Sequence, residues 1–86
     1  MDEQESHLIY AFPRAQGEEI QIALRKYHGR VYIDLRVWYQ AKNESQFRPT
    51  KKGLFFSVEH AQELKKGIER LAKATDQYQS KQEMNV

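Results

Sequence analysis

Two stretches of alternating hydrophobicity, joined by a two-residue turn, constrain this chain more than any other feature. In residues 19–27, Ile20, Ile22 and Leu24 share one parity and Gln21, Ala23, Arg25 and Tyr27 the other. In residues 31–39, Val31, Ile33, Leu35 and Val37 oppose Tyr32, Asp34, Arg36 and Trp38. A repeat of two sends successive side chains to opposite faces of an extended chain, so each stretch predicts a strand with one buried face. His28-Gly29 lies between them and predicts a tight antiparallel hairpin.

The flanking segments read less clearly. Residues 8–12 are apolar and Pro13 interrupts them, which predicts at most an edge strand. Residues 40–45 read as a turn, 46–48 as a brief strand, 49–53 as a loop and 54–58 as a further short strand. Ser57 is a suitable N-cap, and Ala61, Leu64, Ile68, Leu71 and Thr75 recur at spacings of three and four, predicting one amphipathic helix over residues 58–75. Gly67 within it suggests close packing against another backbone. The chain therefore divides into a polar and short apolar arm (1–13), a folded domain (14–75) and a polar tail (76–86), with the first six residues and the tail expected to be loose. At 86 residues a single sheet buries a modest core, which makes dimerisation plausible from size alone.

Several function classes have nothing to stand on. Without cysteine there is neither a disulfide framework nor a thiolate metal site. His7, His28 and His60 lack ligand spacing, and no phosphate-binding loop, nucleophile elbow or zinc-protease motif occurs, so no enzyme activity, metal or cofactor is expected. The acidic start and the lack of a run of about 20 apolar residues argue for an intracellular protein, with no membrane partner.

Charge and aromatic content are concentrated in one region. Between Arg25 and Gly53 eight basic residues face two acidic ones, a net of +6 in a chain whose formal charge is only +2. Seven aromatic residues (Tyr27, Tyr32, Trp38, Tyr39, Phe47, Phe55 and Phe56) fall in or beside the same stretch. Cations that neutralise phosphates, mixed with rings that stack on bases, suit an unpaired nucleic-acid strand. The pattern alone leaves an alternative open, in which Tyr32, Trp38, Phe55 and Phe56 fill a core and the charges are solvated.

The segments LRKYHGRVYIDLRVWY and FRPTKKGLFFSVEHAQELKKGI resemble the DNA-binding domain of the positive cofactor four family of transcriptional coactivators, over residues 20–74. The specific features are Tyr27-His28-Gly29-Arg30-Val31-Tyr32-Ile33-Asp34-Leu35-Arg36 and Arg48-Pro49-Thr50-Lys51-Lys52-Gly53. The resemblance implies an α+β protomer, a four-stranded curved antiparallel sheet followed by one C-terminal helix (β-β-β-β-α). It also implies a homodimer that prefers single-stranded or unwound DNA. It nominates Arg25, Tyr27, Arg30, Arg36, Tyr39, Arg48, Lys51 and Lys52 as strand contacts, with Trp38 as an alternative stacker. Tyr39 has the opposite parity to Arg36, so both can face one ligand only if the strand twists or bulges before its end. The amphipathic helix reads as core or dimer packing, because Glu59, Glu63 and Glu69 would repel phosphates. Two alternatives accompany this reading: a coactivator-like module that recruits transcription machinery, and RNA binding, which shares the same stacking and charge logic.

Overall fold

The computed structural model describes residues 5–84 of the chain, and side chains over residues 5–78. Four strands, β1 (Glu5–Ala15), β2 (Glu18–Tyr27), β3 (Arg30–Tyr39) and β4 (Arg48–Ser57), form one antiparallel sheet in chain order. A single 3-10 turn, Val58–His60, leads into one long helix, α1 (Ala61–Met84). This is the expected four-stranded sheet followed by a C-terminal helix.

The central hairpin forms as the alternation requires. β2 and β3 pair without a break from Glu18↔Tyr39 to Tyr27↔Arg30. His28 and Gly29 both adopt positive φ, 52° and 76°, the signature of a turn whose twist matches that of its strands. Histidine accepts this conformation more readily than a β-branched residue would.

The outer strands are longer than the sequence pattern predicts. β1 continues through Pro13, which pairs with Glu19 on the sheet's free edge, where a missing N–H costs no ladder bond. Register shifts between Leu8 and Tyr10 and between Pro13 and Ala15 blur its alternation, which is why only residues 8–12 stand out in the sequence. Residues 46–48, 49–53 and 54–58 are not strand, loop and strand: Arg48–Ser57 is one strand carrying a bulge. Three residues, Thr50, Lys51 and Lys52, stand opposite Val37 alone. Thr50 pins the bulge, its Oγ1 donating to the Val37 carbonyl at 2.7 Å and accepting from the Lys52 N–H at 3.1 Å. Gly53 then re-enters the ladder so closely that a Cβ would lie 2.7 Å from the Arg36 Cα and collide with the Leu35 carbonyl oxygen.

Ser57 caps the 3-10 turn, accepting from the Glu59 N–H at 3.3 Å. The helix runs past Thr75 to Met84, since Gln, Lys, Glu and Met beyond Asp76 are good helix formers despite their polarity. Residues 1–4 and 85–86, parts of the expected loose ends, lie outside the described residues, while Glu5 and Ser6 open β1. Gly67 meets no close neighbour, because a Cβ there would find nothing within 4 Å, so the expected close packing is absent from this chain. No helix among the described residues is long and apolar enough to cross a membrane.

The two sheet faces differ sharply in composition. Ile20, Ile22, Leu24, Ile33 and Leu35 line one face, opposite Leu64 and Ile68 of α1 across a cleft of about 660 Å³. Among the described residues Ile33, 6% exposed, is the one buried apolar side chain. The other face carries the polar and aromatic residues of the opposite parity.

Candidate nucleic-acid interface

Strand register determines which nominated residues meet on that second face. Arg25 lies opposite Tyr32, Ala23 opposite Asp34, and Gln21 opposite Arg36, all at one parity. On the other side of β3, Asp34 pairs with Phe55, Arg36 with Gly53 and Trp38 with Pro49. Arg25, Tyr27, Arg36 and Trp38 therefore share a face with Tyr32, Asp34 and Phe55.

Asp34 organises this face. Asp34 is only 4% exposed, and its carboxylate accepts from Arg25 Nη1 at 2.8 Å, from Arg36 Nε at 3.0 Å and from Arg36 Nη2 at 3.3 Å. A buried carboxylate needs such partners, and the bonds in turn fix both guanidinium groups. Arg36 is held at a third point, donating from Nη1 to the Thr50 carbonyl at 3.0 Å. The bulge that carries Lys51 and Lys52 is thereby tied to the arginine beside it.

The rings are not sealed inside the protein. Phe55 stacks on Tyr32 with centroids 4.7 Å apart and planes at 16°, and Arg25 Cζ stands 5.6 Å from the Phe55 centroid. Arg25, Tyr27, Arg36 and Phe55 line a recess of about 340 Å³. A second recess of about 390 Å³ runs between β1 and β3, with Ser6, Leu8, Ala23, Asp34, Trp38 and Pro49 among its walls. Trp38 and Phe55 thus line open recesses, and Tyr32 is half-buried against Phe55 on the same face, unlike the reading that places them in a core; Phe56 alone, opposite Ile33, falls on the apolar parity.

The remaining cations lie around this surface. Arg30 sits at the hairpin tip opposite Tyr27, and Lys51 and Lys52 project from the bulge. All three are exposed and form no ion pair among the described residues. Tyr39 and Arg48 are placed apart from the recesses. The bulge falls in β4 and not in β3, so Tyr39 keeps the parity opposite to Arg36 and pairs with Arg48 at the strand end. Arg48 is engaged by Glu44 through two bonds, Nε to Oε1 at 2.8 Å and Nη2 to Oε2 at 2.9 Å. Those hydrogen bonds hold the Glu44 carboxyl below the ordinary carboxylate range and raise Arg48 further.

Sequence reasoning misses three contributors: Asp34 as the anchor of two arginines, Thr50 as the pin of the bulge, and Phe55 as a ring on the open face. For Asp34 a signal is present, since it shares the parity of Arg36 and, once the hairpin register is fixed, that of Arg25. For Phe55 the signal is hidden because Leu54, Phe55 and Phe56 are apolar in succession and show no alternation, and for Thr50 because the bulge interrupts the pattern of β4.

Among the described residues no group of acidic and histidine side chains could hold a metal ion. A family model described as Transcriptional Coactivator p15 (PC4) matches residues 14–67. The fold is similar to that of a solved structure, the bacteriophage T5 homologue of the eukaryotic transcription coactivator PC4, implicated in recombination-dependent DNA replication. The TM-score is 0.61 at 20% identity, covering 86% of this chain and 82% of that one. Among curated proteins there is no match.

Proposed function

The chain belongs to the transcriptional coactivator p15 (PC4) family, and from that premise we propose that it binds single-stranded DNA, largely without regard to sequence, as a non-catalytic homodimer. The observation that carries this reading is the shared face of Arg25, Tyr27, Arg36, Trp38 and Phe55, flanked by the exposed Arg30, Lys51 and Lys52. Its cations can neutralise phosphates and its rings can stack on bases that a duplex keeps paired. Arg36 directs its Nε, Nη1 and Nη2 donors at Asp34 and Thr50, which favours a positioning role over reading of base edges. The structurally similar phage homologue is implicated in recombination-dependent DNA replication, a setting in which unpaired strands are exposed.

The homodimer is supported by the opposite face. A cleft walled almost wholly by apolar side chains, next to Ile68 at 49% and Leu71 at 58% exposure, suits a second copy of the chain. Burial of each such side chain is worth about 1.5–3 kcal/mol, a driving force that one protomer leaves unused.

Fluorescence anisotropy with labelled oligo-dT, the matching duplex and the matching RNA over a salt series tests the reading. Tighter binding to oligo-dT, weakening with salt by a slope near −0.7 per neutralised phosphate, is the expected outcome. Lys51→Ala with Lys52→Ala should weaken binding and flatten that slope by about 0.7 for each phosphate no longer neutralised, without changing the oligomeric state. Equal affinity for single strand and duplex, or indifference to salt, overturns the proposal. A preference for RNA replaces the ligand while keeping the surface.

A further inference from the structure

We propose that Phe55, backed by Tyr32, is a stacking platform for one unpaired nucleobase, which makes the recess beside it a base-binding subsite. The inference rests on the single-strand reading above and adds to it a specific role for a ring that the motif spacing does not nominate.

Three observations meet at this ring. Phe55 stands in β4 directly opposite Asp34, which places it beside the carboxylate that anchors Arg25 and Arg36. Its plane is set by near-parallel stacking on Tyr32, 4.7 Å away, and by Arg25 Cζ at 5.6 Å. In spite of these contacts Phe55 remains 44% exposed and forms a wall of the 340 Å³ recess shared with Tyr27, Arg25 and Arg36. A ring placed for core packing would be covered, whereas this one is held in a fixed orientation and left open.

The chemistry of the recess defines its ligand. A ring already ordered by its neighbours loses little further freedom when a base stacks on it. The two guanidinium groups beside it supply positive charge where the phosphate of the same or the next nucleotide would lie. Because Arg36 directs its donors at Asp34 and Thr50, the base is held by its π-face and not by its edge. The subsite therefore takes any of the four bases, provided it is unpaired.

Anisotropy measured with oligo-dT and with an abasic strand of the same length and phosphate count tests the platform, using the full chain and its Phe55→Leu and Phe55→Tyr variants. Leucine keeps the apolar bulk and removes the ring; tyrosine keeps the ring. Phe55→Leu is expected to bind oligo-dT roughly tenfold more weakly, with an unchanged salt slope and unchanged affinity for the abasic strand, and Phe55→Tyr to bind as the parent does. Equal losses on both strands with a flatter salt slope would mean that the ring only props Arg25, and overturn the platform. No loss on oligo-dT, or a Phe55→Tyr variant as weak as Phe55→Leu, overturns it too. Failure of the single-strand reading is visible separately, in the parent alone, as equal affinity for oligo-dT and duplex.

Discussion

The two faces of the sheet solve the same problem in opposite ways. On the face of Arg25, Asp34 and Arg36, the groups that need partners find them inside the chain: the buried carboxylate accepts three hydrogen bonds, and no buried side-chain polar atom among the described residues lacks one. On the opposite face Ile33 is buried, but Ile22, Leu24 and Leu35 stay partly exposed, walling a cleft that the chain's own helix does not close. Both faces come from one alternation, so the contrast teaches what a repeat of two specifies. It assigns residues to sides, while the chemistry of each side decides whether the chain can complete it alone. One side meets its polar requirements within the chain; the other leaves apolar side chains lining a cleft.

Breaking the apolar side should have the largest effect. Ile68→Glu with Leu71→Glu puts charges where the proposed second copy packs, and each chain loses two side chains worth about 1.5–3 kcal/mol apiece on burial. Sedimentation at micromolar concentration is expected to move from dimer to monomer, with dimer affinity at least about 100-fold lower. A parent protein that sediments as a monomer, or a variant that stays dimeric, would break the comparison by showing that this face needs no partner.

The polar side should yield less. Asp34→Ala leaves Arg25 and Arg36 facing one another without their shared carboxylate. Removing one member of a buried pair costs about 3–5 kcal/mol, but side-chain exposures of 34% for Arg25 and 19% for Arg36 let solvent screen the loss. About 1–3 kcal/mol is therefore expected in urea unfolding, with the variant still folded. A loss below about 0.5 kcal/mol would mean that Asp34 does not organise the face, and that the arginines keep their positions without it.

How much of this is legible in the sequence depends on where the alternation runs unbroken. β2 and β3 pair in continuous register, so their faces, their turn and the company of Arg25, Arg36 and Trp38 follow from residue parity. β1 carries single extra residues, each of which exchanges the faces beyond it, so a reading by parity fails at Ile9; β4 carries two extra residues, which keep Pro49 and Phe55 on one face but interrupt the alternation over residues 50–52. The bulge in β4 reads as a loop because Pro49 and Gly53 are turn formers elsewhere. Here Pro49 pairs with Trp38, and Gly53 is required by the approach of the Leu35–Arg36 backbone. The end of α1 escapes for a different reason: helix propensity without an apolar stripe carries no periodic signal. Of the nominated contacts, Tyr39 and Arg48 rest on resemblance alone, and register separates them from the recesses.

That separation gives the smallest effect, at the margin between the two faces. Glu44 engages Arg48 through both carboxylate oxygens, and these hydrogen bonds keep its carboxyl below the ordinary range. A group whose folded value is lowered contributes its interaction above the unfolded value and loses it as pH falls through the folded one. The pair is accordingly intact at neutral pH and stays so down to the acidity at which ordinary carboxyls titrate. Under those conditions Arg48 Nε and Nη2 are occupied, and a phosphate reaches that bidentate edge only by displacing Glu44. Glu44→Gln should remove that competitor, tightening oligo-dT binding about two- to threefold and steepening the salt slope by about 0.7, the value of one further neutralised phosphate. The parent, in turn, should show no change in affinity traceable to this pair between about pH 7 and about pH 5. If Glu44→Gln leaves both affinity and slope untouched, Arg48 lies off the path of the strand, and the ligand surface is confined to the face that Asp34 organises.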